Sequence, residues 1–176
     1  MEWQQLIIDV YIRISQELTR ALEGLTKDDL NQQPSSDTNS IGWIAWHLTR
    51  TLDRGIGDLM GREQVWVEDR WYATFDRAPN PADTGLRHSS RDVAAFKSPN
   101  GKTLLDYHSA VLELYLNYLR NKLSETDLQR KVNRPTLGIT NTVHEILLSN
   151  ISDAFQHVGQ AAYVRGILKD KGWSSR

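Results

Sequence analysis

The chain has 176 residues, no cysteine and a formal net charge of −1, from 21 basic and 22 acidic side chains. A chain of this length can bury an adequate core without disulfides, and we treat residues 1–176 as one domain. The balanced charge excludes nucleic acid and anionic membranes as expected partners. Since we find no signal peptide and no apolar run of about 20 residues, we expect a cytoplasmic protein.

The first predicted element is an amphipathic helix from about residue 2 to residue 24. Its apolar residues recur every three or four positions, and it ends at a glycine. Thr26 and Asp29 then predict a capped, short helical turn. After a polar loop, Ser40 can cap a second long helix that runs over residues 41–60, where the apolar residues again follow the helical period.

The second helix carries polar and aromatic side chains beside its apolar stripe. His47 and Thr51 lie on the flank of that stripe, four residues apart. Trp43 and Trp46 belong to the same helix, and Trp66 follows beyond its end, which gives this part of the molecule a large aromatic surface. Packing into the core is the simplest explanation for each tryptophan taken singly.

Residues 61–102 lack a helical period and are rich in proline, glycine, serine and charged side chains. About 40 residues with little regular structure are unusual inside a compact domain, so we interpret this segment as a long crossover or lid. We expect it to line the entrance of any site and to determine specificity. His88 lies in its most polar portion, and we expect that side chain to be exposed.

A third long helix is predicted over residues 103–123. His108 lies in the middle of its apolar stripe and therefore faces the core. This histidine is a further candidate for a functional site, but a single histidine on an apolar face is more often a hydrogen-bonded core residue. Both interpretations stay open.

Residues 130–140 form a polar connector in which we find no convincing strand. A last long helix is predicted over residues 141–169, where Thr142 and Glu145 have the spacing of a capping box and Gly172 can serve as the C-terminal cap. Four long helices with a long second connection predict an all-α protein. The expected architecture is a four-helix bundle with a crossover between helices 2 and 3.

Asp153 and His157 lie four residues apart on the last helix and therefore on one face, at the edge of its apolar stripe with Asn150. A carboxylate and an imidazole near a core cost several kcal/mol unless they are paired or bind a metal. Two explanations are open. They form a hydrogen bond that fixes helix packing, or they bind one divalent ion, for which a chain without cysteine has only His, Asp, Glu and water.

Two sequence signatures resemble those of the DinB-like (YfiT-type) superfamily. Residues 40–50, Ser-Ile-Gly-Trp-Ile-Ala-Trp-His-Leu-Thr-Arg, are similar to its second-helix signature, and residues 157–160 with Arg165 are similar to its last-helix signature. The resemblance covers nearly the whole chain. It implies a four-helix bundle, commonly a homodimer, with a divalent metal held by one histidine of helix 2 and two residues four apart on helix 4. Those positions are His47, Asp153 and His157.

Asp153 departs from the commonest family pattern, in which a histidine occupies that position. Members similar to mycothiol-dependent maleylpyruvate isomerase use a carboxylate there, so the departure is compatible with metal binding. Two histidines and one carboxylate suit Zn²⁺, Ni²⁺, Fe²⁺ or Mn²⁺ and leave positions open for water or substrate. The resemblance also implies thiol S-transferases and isomerases that use mycothiol or bacillithiol, metal-dependent hydrolases, and a DNA-damage-induced namesake without a clear activity.

Our first hypothesis is a metal-dependent thiol transferase or hydrolase that acts on a small molecule, with or without a low-molecular-weight thiol as cofactor. No general base is evident, so water bound to the metal would be the activated group. The expected pocket or supporting residues are Asn150, Thr51, His108 and Gln160. The alternatives are a non-catalytic or stress-response bundle that binds an apolar ligand or partner, with a structural Asp–His pair, and a dimer with a structural metal.

Overall fold

Helices dominate the computed structural model, which describes residues 3–169. The elements in chain order are α1 (Trp3–Leu22), α2 (Lys27–Asn31), α3 (Ile41–Met60), α4 (Val65–Glu68), α5 (Trp71–Thr74), α6 (Ser90–Ala95), α7 (Gly101–Asn121), a 3₁₀ helix (Glu125–Gln129), β1 (Lys131–Arg134), β2 (Ile139–Thr142) and α8 (Val143–Lys169). The predicted all-α class is confirmed. The proposed cap at Gly172 lies outside the described residues.

The four long helices pack around one hydrophobic core. Both α1 and α3 contact α7 and α8, and the α3–α8 contact is the most extensive of the helix pairs. The largest fully buried side chains include Trp46 of α3, Tyr11 of α1 and Tyr107 of α7. This arrangement sets α3 and α8 side by side, so polar residues on their facing edges can meet. No helix within residues 3–169 is long and apolar enough to cross a membrane.

Capping residues explain why the second long helix has the predicted ends. The Ser40 hydroxyl accepts a hydrogen bond from the Trp43 backbone N–H at 3.3 Å, which satisfies one of the free donors of the first turn. Gly61 ends the helix in the left-handed conformation, with φ +63°. The capping box of Thr142 and Glu145 is also present, and it starts α8 two residues later than predicted.

A short β-hairpin replaces the predicted polar connector. Residues 131–134 pair antiparallel with residues 139–142, so that Arg134 lies opposite Ile139. Along β1 the side chains alternate between exposed and buried, and Val132 and Arg134 face inward. Gly138, with φ +68°, lies in the turn. Our expectation of no strand was wrong. The alternation of buried and exposed side chains in β1 has only two buried members, Val132 and Arg134, and one of them is charged.

The crossover between α3 and α7 contains three short helices and packs firmly against α3. Arg50 of α3 donates hydrogen bonds to the backbone carbonyls of Asn80, Pro81 and Asp83. His88 is half-buried, because its Nδ1 accepts a hydrogen bond from Trp43 Nε1 at 3.2 Å and its Nε2 lies 3.1 Å from an oxygen of Asp83. The prediction that His88 is exposed was wrong. The crossover therefore forms a wall of the molecule beside α3.

Candidate metal centre

His47 of α3 meets Asp153 and His157 of α8. One ligand atom from each residue can be chosen so that all three lie within 4.8 Å of one another. The two imidazole rings are nearly perpendicular, with centroids 4.6 Å apart. Residues more than 100 positions apart in sequence thus form a compact group of two nitrogen donors and one oxygen donor.

The orientation of His47 is fixed by backbone atoms of the crossover. Its Nδ1 lies 2.5 Å from the Thr84 carbonyl oxygen, which can only accept a hydrogen bond, so Nδ1 carries the proton and the Nε2 lone pair is free. The Trp43 ring stacks on the imidazole at 4.8 Å between centroids. Gly85 also approaches the ring closely, since a Cβ built there would lie 2.8 Å from His47 Nδ1. Hydrogen bonding of this kind orients histidine ligands in metal sites.

The electrostatic surroundings keep His47 neutral. Burial, followed by the nearby positive charge on His157, lowers the pKa of His47 to about 4. His47 is only 8% exposed. A neutral imidazole with a free Nε2 is the form that binds a metal ion.

His157 has two partners on its own helix. Its Nδ1 lies 2.8 Å from the Gln160 amide oxygen, and its Nε2 lies 3.4 Å from an oxygen of Asp153. Burial by itself lowers the pKa of His157, but the hydrogen bond and charge of Asp153, with help from Gln160, raise it overall. The predicted supporting residue Gln160 is therefore in contact with the predicted ligand, although its side chain lies near the protein surface.

Asp153 has a carboxylate oxygen that is available to bind a metal ion. Its Oδ2 is buried and has no hydrogen-bond partner within residues 3–169. A carboxylate oxygen left in this state costs free energy. Two imidazole nitrogens and this oxygen fit a divalent transition-metal ion, and the site is open on one side. The residues present therefore fit the metal that the resemblance implies.

A cavity of about 310 Å³ is lined by two of the three candidate ligands, His47 and Asp153. The predicted pocket residues Thr51 and Asn150 line it, and the Thr51 hydroxyl and the Asn150 amide oxygen are both buried without a partner in the described part of the chain. The other lining residues are His47, Arg54, Leu86, Arg134, Leu137, Ile139, Asn141, Glu145, Ser149 and Asp153.

Asn150 is held at the cavity wall by two neighbours. Its amide nitrogen donates a hydrogen bond to the hydroxyl of Tyr115. Gly55 of α3 leaves room for the amide, because a Cβ there would lie 1.9 Å from Asn150 Nδ2. A side chain at position 55 would therefore displace Asn150.

His108 is absent from the cavity wall. It is fully buried in α7, where its Nδ1 lies 3.3 Å from the Thr49 hydroxyl, and burial lowers its pKa to about 4. The structure thus separates His108 from the other predicted pocket residues and agrees with its alternative interpretation as a core histidine.

Sequence reasoning missed several contributors to the site, of which four matter most for its geometry and charge. They are Thr84 and Gly85 of the crossover, Arg54 of α3 and Arg134 of β1. Arg54 follows His47 by seven residues, a helical spacing that places it near the same face and that could have singled it out. The other three depend on contacts across the fold, for which the sequence carries no local signal.

Comparison with known proteins places the chain in a family. The model of the DinB superfamily matches residues 11–161. The fold is similar to a crystal structure described as the conserved protein of a locus from Enterococcus faecalis, with a TM-score of 0.85 and 26% sequence identity over 97% of this chain and 99% of that one. No curated protein matches the chain significantly in sequence.

Proposed function

The chain belongs to the DinB superfamily, and from this membership and the geometry of its polar cluster we propose that it is a divalent-metal-dependent enzyme. His47, Asp153 and His157 are the ligands. The reaction is either transfer of a low-molecular-weight thiol to a small molecule in the cavity or hydrolysis of such a molecule. The observation that carries the proposal is the convergence of three donor atoms within 4.8 Å, with a free imidazole nitrogen and a carboxylate oxygen without a partner.

Each residue has a defined part in this proposal. A bound divalent ion supplies Lewis-acid chemistry, which lowers the pKa of a water or thiol and polarises a carbonyl. The Thr84 carbonyl and the Gln160 amide oxygen accept the Nδ1 protons of His47 and His157, which would leave both Nε2 lone pairs to hold a metal ion. Asn150 and Thr51 present a free amide oxygen and a free hydroxyl that can orient a substrate.

The competing function is a non-catalytic helical bundle. Its support is the 3.4 Å approach of Asp153 to His157, which by itself can be a structural ion pair. That pair does not account for the free Nε2 of His47 or the partnerless Oδ2 of Asp153. The homodimer is a separate proposal, supported by exposed apolar side chains along α8 that a second copy could cover, Leu148, Phe155 and Tyr163.

Metal analysis of protein purified without a histidine tag tests the proposal. We expect one equivalent of Zn, Ni, Fe or Mn in the native protein and loss of that metal in His47→Ala and His157→Ala. His144→Ala is the matched control, because His144 is exposed on the same helix. Protein that neither contains a metal nor takes up added ions with better than about micromolar affinity would contradict the proposal and favour the non-catalytic bundle.

Activity screening follows metal loading. Metal-loaded protein is assayed for thiol transfer and for ester and amide hydrolysis, beside His47→Ala at the same concentration. If the protein binds the metal tightly and its Tm rises, but no assay detects turnover, the result would instead support a structural metal. Light scattering measures the mass in solution and decides the homodimer independently of the metal.

A further inference from the structure

Arg54 is a buried arginine without an acidic partner in the cavity beside the candidate ligands. The residue is 7% exposed, its Nη1 donates to the Thr84 hydroxyl at 3.2 Å, and its Nε has no hydrogen-bond partner in the described part of the chain. No carboxylate within residues 3–169 forms a salt bridge with it, whereas the buried Arg50 and Arg134 each have one. A buried cation in this state destabilises the protein until an anion pairs with it.

The second arginine of the cavity, Arg134, already has an acidic partner. Arg134 is neutralised by Asp58, whose oxygen accepts from its Nε at 2.9 Å. Burial and then the charge of Arg134 lower the pKa of Arg54, although an arginine stays charged at neutral pH. Within residues 3–169, Arg54 is therefore the arginine of this cavity that forms no salt bridge, although the charges of Asp58 and Asp153 act on it from beyond salt-bridge distance. Glu145 is a further carboxylate in the cavity wall.

Thr84 places this charge next to the candidate metal ligands. Its carbonyl accepts the hydrogen bond of His47, and its hydroxyl accepts the hydrogen bond of Arg54. Arg54 and Asp153 line the same cavity. A molecule held by the guanidinium would therefore lie within reach of the metal centre.

Three apolar side chains also line the cavity, together with the polar residues Asn141, Glu145 and Ser149. Leu86, Leu137 and Ile139 line it, and Leu86 and Ile139 are about half exposed, at 52% and 48%. A volume of about 310 Å³ is within the range of sites for small organic molecules. The cavity thus combines a guanidinium without a salt bridge in the described residues, two carboxylates and three apolar side chains.

We propose that the cavity binds a small organic acid whose single carboxylate pairs with Arg54 and whose apolar body contacts Leu86, Leu137 and Ile139. The planar guanidinium suits a carboxylate in a two-point contact. A single guanidinium without a salt bridge suits a ligand with one carboxylate, and the cavity carboxylates Asp153 and Glu145 disfavour further negative charge. This inference rests on the proposed function only in making the acid the substrate; binding of the acid itself does not require the metal.

Calorimetry with hexanoate and its neutral counterpart hexanamide tests this inference, on both metal-free and zinc-loaded protein. We expect the native protein to bind hexanoate about tenfold more tightly than hexanamide in both forms. Arg54→Gln should lose this preference, and Arg54→Lys should keep part of it because the charge remains. Arg120→Gln, at an exposed position of α7, should behave as the native protein does.

The outcomes separate this inference from the proposed function. Equal binding of the two probes by the native protein overturns the carboxylate site, whatever the metal content and whether or not Arg54→Gln folds. A preference that appears only with zinc and survives in Arg54→Gln also overturns it, because the acid then binds the ion. A protein that takes up no zinc but prefers hexanoate through Arg54 supports the carboxylate site while contradicting the metal enzyme.

Discussion

Helix α3 carries two buried polar clusters one turn apart, and they differ in how completely their hydrogen bonds are satisfied. In the first, Arg50 pairs with Asp53 at 3.2 Å, and both side chains are fully buried. The Asp53 oxygens also accept hydrogen bonds from the backbone N–H groups of Val65 and Trp66 and from the Tyr107 hydroxyl, at 2.7–2.9 Å. This closed network fastens the crossover to the bundle.

The second cluster, around His47, is open. Four buried polar atoms of its cavity have no partner within residues 3–169: Thr51 Oγ1, Arg54 Nε, Asn150 Oδ1 and Asp153 Oδ2. Buried polar groups are otherwise nearly always hydrogen-bonded. The burial of polar side chains therefore does not by itself identify a functional site. Incomplete satisfaction of several atoms around one cavity indicates a place for a ligand.

The largest effect expected is on stability, from opening the closed network. Asp53→Ala leaves Arg50 buried without its partner and should lower the free energy of unfolding by about 3–5 kcal/mol. Urea unfolding measures it. Asp106→Ala is the control, since its ion pair with Lys102 is exposed and should contribute less than about 1 kcal/mol. Equal losses of unfolding free energy in the two variants would show that the closed network contributes no more than an exposed ion pair.

A buried histidine outside the open cavity should affect stability through its protonation. Burial holds the pKa of His108 at about 4, below the value of about 6.5 in the unfolded chain. Between these values the unfolded state binds a proton that the folded state does not, so stability falls as pH decreases from about 6.5 to 4, by up to about 3 kcal/mol.

His108→Gln should remove this component, so that urea unfolding of the variant varies less steeply with pH over that interval. The metal content should not change, because His108 does not line the cavity. An unchanged pH dependence in the variant would show that His108 takes no part in it.

Gly85→Ala should damage the open cluster more than the fold. The φ of +87° and the 2.8 Å approach to His47 Nδ1 both disfavour a side chain. We expect a stability loss of about 1–3 kcal/mol and metal affinity lowered about 10- to 100-fold. Gly24→Ala is the matched control, since φ there is +69° and nothing lies within 4 Å of the added Cβ. It should share the backbone strain but keep the native metal affinity in competition titrations.

The smallest effect expected is that of Gln160→Ala. It removes the acceptor at 2.8 Å from His157 Nδ1, and we expect metal affinity to fall about tenfold while the free energy of unfolding changes by less than about 0.5 kcal/mol. Gln156→Ala alters an exposed glutamine bonded to Ser152 on the same helix and should leave both quantities unchanged. Equal metal affinities in the two variants would assign Gln160 no part in the centre.

The long helices and their caps could be predicted because their signals are local. Apolar periodicity and the capping residues Ser40 and Thr142 lie within a few positions of the boundaries they set. The relation of Asp153 to His157 was predictable for the same reason, since a helix fixes residues four apart. The family resemblance then contributed His47 as the third member.

The remainder of the site depends on contacts that no local pattern records. The hairpin of residues 131–142 depends on a few inward side chains, one of which pairs with Asp58, 76 positions away. Half-burial of His88 results from contact with Trp43, 45 positions away. The support of His47 comes from a main-chain carbonyl, and every residue has one. Such contributions become visible only when the chain is folded.

The use of a main-chain oxygen at position 84 has a consequence for how this protein can diverge. Any residue small enough for this fully buried position supplies the same carbonyl to His47, so the proposed ligand tolerates such a substitution of Thr84. The hydroxyl of Thr84, in contrast, is what restrains Arg54. Under the proposed function, a lineage that exchanges this single side chain would therefore alter the choice of substrate while keeping the support of the proposed ligand His47.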